Sequence, residues 1–138
     1  LRDYLINRAR AFIYTTALPP AVIACAIEAI ELLEKEPQIR QALQDNAAFF
    51  RKGLQDLGFN ILESSTQIIP VLVGDTQTAV LLAGDLMEEG LFIQAIRPPT
   101  VAEGSARLRI TLMATHTKDD LTGALEILGR AGKRYTLI

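Results

Sequence analysis

One short run, Ala106-Arg107-Leu108-Arg109-Ile110-Thr111-Leu112, constrains the fold more than any other. Side chains along a strand alternate between faces, so a strand over residues 108–112, with Arg107 leading into it, sets Arg107 and Arg109 on one side. An arginine embedded among Leu108, Ile110 and Leu112 needs a partner, or it costs free energy. Its planar fork of donors suits a carboxylate. Two partners remain open at this point: an Asp or Glu in a structural pairing, or the carboxylate of a ligand. Upstream, residues 90–116 place Arg97 at a strand end, Pro98-Pro99-Thr100 as a rigid bend, and then a loop through Gly104.

The rest of the chain reads by hydrophobic period. Residues 1–11 carry the end of a helix, with Leu5, Ile6 and Ala9 at helical spacing, and residues 12–14 a short β-like run. Pro19-Pro20 opens a helix over residues 21–36, since proline is tolerated in a first turn. Val22, Ile23, Ala26, Ile27, Ile30 and Leu33 cover more than one face of it. Pro37 starts a second helix to about residue 57, with Ile39, Leu43, Ala47, Phe50 and Leu54 inward and Gly58 just past its end. Strands are predicted over 68–73, 91–96 and 108–112, and helices over 76–89 and from 118 to about 133, the last with Leu121, Ala124, Leu125 and Leu128 inward. This order, ending β-α-β-β-α, predicts an α+β unit in which a three-stranded sheet packs with helices. A lone strand at 12–14 lacks a nearby partner. Together with the apolar start of the next helix, it predicts that something larger covers this end.

The 138 residues suffice for one domain with a core. A formal charge of -2 gives no bulk attraction to nucleic acid or anionic membrane. No apolar stretch reaches the roughly 18 residues of a bilayer span, and no leader pattern is recognised. The single cysteine, Cys25, cannot close an intrachain disulfide; a buried, inert thiol and a reducing, cytoplasmic setting are expected. The first residue, Leu1, fits a piece excised from something longer.

Candidate chemistry is sparse. One histidine, His116, and one cysteine make a metal site implausible, so no metal is expected. His116 reads as a turn or capping residue, and Ser64-Ser65-Thr66 as a polar loop. No glycine-rich phosphate loop is present. The four lysines, Lys35, Lys52, Lys118 and Lys133, all fall on predicted helices beside other charges. Thr15 and Thr16, before Pro19-Pro20, are either capping hydroxyls or donors to a phosphate at a helix start.

Residues 12–20 (Phe-Ile-Tyr-Thr-Thr-Ala-Leu-Pro-Pro) and residues 90–117 are similar to segments of the α-oxoamine synthases, pyridoxal-phosphate enzymes of fold type I. Ala95-Ile96-Arg97-Pro98-Pro99-Thr100-Val101 resembles the version in the branch that uses a pimeloyl thioester; other branches usually differ at Arg97 and Pro98. Ala106-Arg107-Leu108-Arg109 is shared more widely. Ala102 and Glu103 depart mildly from the family's loop. The resemblance spans essentially the whole chain. It implies a homodimeric acyltransferase that condenses a pimeloyl thioester with L-alanine, losing carbon dioxide, in biotin synthesis. The cofactor acts there as an electron sink. By position, Arg109 matches the arginine that holds the amino-acid carboxylate, and Thr100 a substrate-contacting threonine. Thr15 and Thr16 match positions that reach the cofactor phosphate of the neighbouring subunit. The resemblance also implies that residues 1–20 are the tail of a large cofactor domain, and residues 21–138 an interdomain helix and small C-terminal domain. The Schiff-base lysine would lie before Leu1, so no catalytic residue is expected in this chain. Two alternatives stand beside this reading: another α-oxoamine synthase that uses glycine, and a non-catalytic dimerisation module with the same fold.

The lysine assignment is directly testable. Mixed with pyridoxal phosphate and reduced with borohydride, the chain should show no stoichiometric label on any one of its four lysines by peptide mass spectrometry. A specific, stoichiometric adduct contradicts it.

Overall fold

The computed structural model describes residues 1–10 and 16–138. The strand expected at residues 12–14, and Thr15, lie outside the described residues. The chain divides into two compact units, residues 1–37 and 38–138.

The first unit holds helices α1 (Arg2–Arg8) and α2 (Pro20–Lys35). Pro19 caps α2, its carbonyl accepting from the Val22 and Ile23 amides at 2.9 and 3.3 Å. Neither helix has a buried residue, because a unit this small cannot cover an apolar face from within. Val22, Ile23, Ile27 and Ile30 are all exposed. So is Cys25, which overturns the expectation of a buried thiol.

The second unit contains the core. Helix α3 (Pro37–Asp56) buries Ala47, Phe50 and Leu54 as its period predicts. The chain leaves it through Gly58 at φ +99°, a left-handed conformation that suits glycine, with the Phe59 amide bonded to Leu54 O at 3.0 Å. Strand β1 (Ile68–Gly74), helix α4 (Thr76–Glu88), strands β2 (Gln94–Ile96) and β3 (Ala106–Thr111), and helix α5 (Lys118–Arg134) follow. The sheet is antiparallel in the order β1-β3-β2, an α+β unit as expected. Ile69, Val71, Leu108 and Ile110 point from one face into a single cluster with Phe50, Leu54, Leu82, Leu86 and Leu128. The opposite face carries Ile68, Pro70, Arg107 and Arg109, none of them fully buried.

Local chemistry explains the boundaries. β2 is shorter than the predicted 91–96 because the Leu91 amide is bonded to Leu86 O at 2.8 Å, finishing α4 instead of a ladder. Asp75 caps α4 by accepting from the Thr78 amide at 2.7 Å. Thr117 and Asp120 form a reciprocal capping box at the start of α5. Gly132 lets α5 approach the core, since a methyl group there would stand 2.5 Å from Phe59 Cζ. Pro70 is tolerated in β1 because β1 is an edge strand. At that edge the Leu72 amide donates to Asn60 O at 2.8 Å and the Ile68 amide to Thr66 Oγ1 at 3.2 Å.

Helices α4 and α5 are cross-linked by charge. Glu89 accepts from Arg130 at 2.8 Å and Arg134 at 2.9 Å, and Asp85 from Arg134 at 3.0 Å and the Tyr135 hydroxyl at 2.7 Å. The hydrogen bond from Arg130, reinforced by Arg134, holds the Glu89 carboxyl below its ordinary value of 4.5. A lowered acid contributes stability that is complete above the unfolded value and is lost as pH falls through the folded one. Urea unfolding of Glu89→Gln should therefore show a deficit against the wild type at about pH 7 that shrinks by about pH 3. An unchanged deficit contradicts the assignment. The bare apolar face of α2 generates a second expectation: the chain self-associates. Light scattering should report a dimer or larger species, and a clean monomer at high concentration counts against it.

Candidate functional site

The two residues singled out as substrate contacts meet in one place. Thr100 lies in the bend after β2, its amide bonded to Arg97 O at 3.1 Å. Arg109 lies on the central strand β3, directly across from Pro70 of β1 and Gln94 of β2. Thr100, Arg107 and Arg109 line a cavity of about 530 Å³ on the open face of the sheet, walled by Ile68, Pro70 and Ile96 and by the loop Leu62 to Thr66. Arg109 also reaches a second, more apolar cavity of about 520 Å³ with Phe92, Gln94, Met113 and His116.

The arginines differ in how they are held. Arg107 donates from Nε to Ser105 O at 3.0 Å, and the Ser105 hydroxyl donates to Ala102 O at 2.6 Å, which ties the loop after Thr100 to β3. Arg109 is more exposed and donates from Nη2 to Gln94 Oε1. Neither takes part in an ion pair among the described residues. Of the two partners open at the outset, a carboxylate of the chain is therefore not what holds them. Ser64 Oγ, in the wall of the same cavity, is buried with no partner. A carboxylate entering here would meet the unused N–H groups of Arg109, the Thr100 bend, a polar loop that carries Glu63 as well as Ser64, Ser65 and Thr66, and the apolar Ile68, Pro70 and Ile96.

Other residues fall elsewhere or give little signal in the sequence. Thr16 is exposed and belongs to the first unit, and its partner in the proposed phosphate contact, Thr15, is outside the described residues. Arg97 is exposed at the end of β2. His116 is a turn residue: its Nδ1 accepts from the Met113 amide at 3.3 Å. Asn46, buried on α3, donates to Met113 O at 3.2 Å and His116 O at 2.9 Å, anchoring the β3–α5 turn. Sequence reasoning misses it; a lone asparagine inside an apolar helix stripe is its only signal. No His, Cys, Asp and Glu group among the described residues could hold a metal ion. No helix among them is long and apolar enough to cross a membrane.

The lysines bear on pyridoxal phosphate. Lys35 pairs with Glu31 and Lys52 with Asp56, each at 2.8 Å, and Lys118 lies 4.2 Å over the Phe49 ring. Each stands on a helix, as does Lys133. The exposed Arg109 guanidinium, outside any ion pair among the described residues, has the chemistry to accept an anionic group such as a carboxylate.

The chain belongs to the aminotransferase class I and II family, whose model matches residues 1–128. It is 46% identical to the 8-amino-7-oxononanoate synthase of Pelobacter propionicus over 140 residues, covering 100% of this chain and 36% of that protein. The synthase of Geobacter sulfurreducens is likewise 46% identical, over 99% of this chain and 35% of its own length. The chain thus spans about a third of the length of the curated relatives it matches. Among solved structures, a serine palmitoyltransferase of Sphingomonas wittichii matches with TM-score 0.83 and 31% identity over 99% of this chain and 35% of that one. The 8-amino-7-oxononanoate synthase of Francisella tularensis matches with TM-score 0.74 and 30% identity over 98% and 39%. A further match, with TM-score 0.84 and 29% identity over 99% and 35%, is SPT solved with pyridoxal phosphate.

Proposed function

We propose that this chain is the C-terminal part of an 8-amino-7-oxononanoate synthase, a cytoplasmic homodimer that condenses a pimeloyl thioester with L-alanine and releases carbon dioxide in biotin synthesis. The observation that carries the reading is the meeting of Thr100 and an Arg109 free of ion pairs in one cavity on the open face of the sheet. The names of the relatives from Pelobacter propionicus and Geobacter sulfurreducens support the choice of substrates. In this reading residues 1–20 are the remnant of the large cofactor domain, and residues 21–138 the interdomain helix and small C-terminal domain.

The division of labour follows from the side chains. Pyridoxal phosphate supplies the electron sink that stabilises the amino-acid carbanion. Arg109 holds the alanine carboxylate through paired N–H···O bonds, fixing which bond of the amino acid faces that sink. Thr100 contacts the substrate beside it from the bend. Thr15 and Thr16 donate hydroxyls to the cofactor phosphate of the neighbouring subunit, so each site needs two chains. The exposed apolar face of α2 is consistent with a helix covered in such an assembly. The chain alone has no catalytic lysine and is inactive.

Charge-assisted bonds of this kind contribute about 1.5 to 3 kcal/mol. In the full-length protein, Arg109→Lys keeps the charge but loses the fork. It should lower kcat/KM for alanine by about tenfold to about a hundredfold, with a much smaller change for the acyl thioester. Arg107→Lys serves as the comparison and should act mainly through stability, because its Nε holds the Ser105 carbonyl. Steady-state kinetics with alanine varied decide it: normal alanine kinetics in Arg109→Lys, with loss in Arg107→Lys, would reverse the two roles.

A further inference from the structure

Arg109 is held by a neutral side chain. β2 and β3 pair with Gln94 directly opposite Arg109, so the two side chains leave the sheet on the same face. Arg109 Nη2 donates to Gln94 Oε1, both residues are exposed, and both line the second, more apolar cavity, while Arg109 alone of the two also lines the cavity with Thr100. The amide nitrogen of Gln94 donates to nothing among the described residues. Two arginines of the same unit are treated differently: Arg130 and Arg134 are neutralised by carboxylates, Glu89 and Asp85, although Arg51, like Arg109, is bonded to a neutral acceptor, Thr66 O. An arginine already bonded to a carboxylate has little attraction left for an incoming anion. One bonded to an amide keeps its whole charge. A guanidinium on a long flexible stem also loses rotamer freedom on binding, and a fixed acceptor removes part of that loss beforehand.

We infer that Gln94 is a positioning residue for Arg109, an uncharged acceptor that fixes the direction of the guanidinium while leaving its positive charge free for a carboxylate ligand. This rests on the reading of Arg109 as the carboxylate-binding arm. The role follows from where β2 begins. Because Leu91 finishes helix α4, Gln94 is the first residue of β2, and its place in the ladder opposite Arg109 is set by backbone pairing rather than by its own side chain.

The test uses the chain itself and propionate, which is alanine without its amino group. Guanidinium signals of Arg109 are followed by NMR during titration, with backbone amide spectra confirming that each variant is folded. Gln94→Glu places a carboxylate of the same length on Arg109 and should weaken propionate binding about tenfold or more. Gln94→Leu should weaken it about threefold and let the Arg109 N–H signals average, a change that a purely structural strand residue would not cause. Arg109→Lys separates the inference from the reading beneath it. If the wild type shows no propionate-dependent change at Arg109, or Arg109→Lys binds as the wild type does, the carboxylate arm is misassigned and both fall. If binding needs Arg109 but Gln94→Glu binds as the wild type does, the inference about Gln94 alone is overturned. It is overturned as well if Gln94→Leu leaves affinity and the Arg109 signals unchanged.

Discussion

Everything on the open face of the sheet depends on how β3 is seated. It is the central strand, paired on both sides, so its position is fixed by two ladders. Leu108 and Ile110 are buried against the helices. Burial of such side chains stabilises by about 1.5 to 3 kcal/mol each. Because the period of a strand is two, burying them sends Arg107 and Arg109 to the other side. A slip of one residue would reverse the faces and drive two guanidinium groups into the core without partners, which costs far more than the leucine and isoleucine contribute. The apolar residues of β3 therefore place its arginines as firmly as any contact the arginines make themselves.

Much of this is legible in the sequence, because alternation and helical period are local signals. The helices, the α+β order and the shared face of Arg107 and Arg109 follow from spacing alone. What the period cannot supply is anything set by pairing across the chain. Gln94 becomes the partner of Arg109 only through the β2–β3 register, and that register depends on a bend whose geometry the sequence does not spell out. Asn46 reads as a polar interruption on α3, yet it closes two carbonyls contributed by a turn almost 70 residues away. Spacing overestimates the length of β2 because an amide that could join a ladder is taken by the preceding helix. Cys25 departs from expectation for a different reason: apolar neighbours argue for burial only when the chain supplies something to bury against, and the first unit does not.

The second unit uses arginine in two ways within a small volume. Arg130 and Arg134 reach across to α4 and are answered by carboxylates, so their charge goes into joining helices. Arg107 and Arg109 are answered by a carbonyl and an amide, so their charge stays on the surface of the sheet. The contrast separates arginines neutralised in joining helices from arginines whose charge meets no carboxylate among the described residues. It rests on the chemical type of the partner rather than on exposure alone.

The outer edge of β1 has a consequence for how such a sheet behaves in a crowded solution. An edge strand usually offers a row of backbone donors that another strand can copy. On this edge the Ile68 amide is taken by Thr66, Pro70 has no amide hydrogen, and the Leu72 amide is taken by Asn60. Ladders alternate, so these are the residues whose backbone groups face away from β3. The strand thus ends the sheet on that side with its outward amides at residues 68 and 72 already used. A foreign strand arriving along residues 68–72 finds no free backbone hydrogen to bind. The chain can carry an exposed apolar helix, α2, and still be poorly suited to grow, strand upon strand, into a fibre from β1.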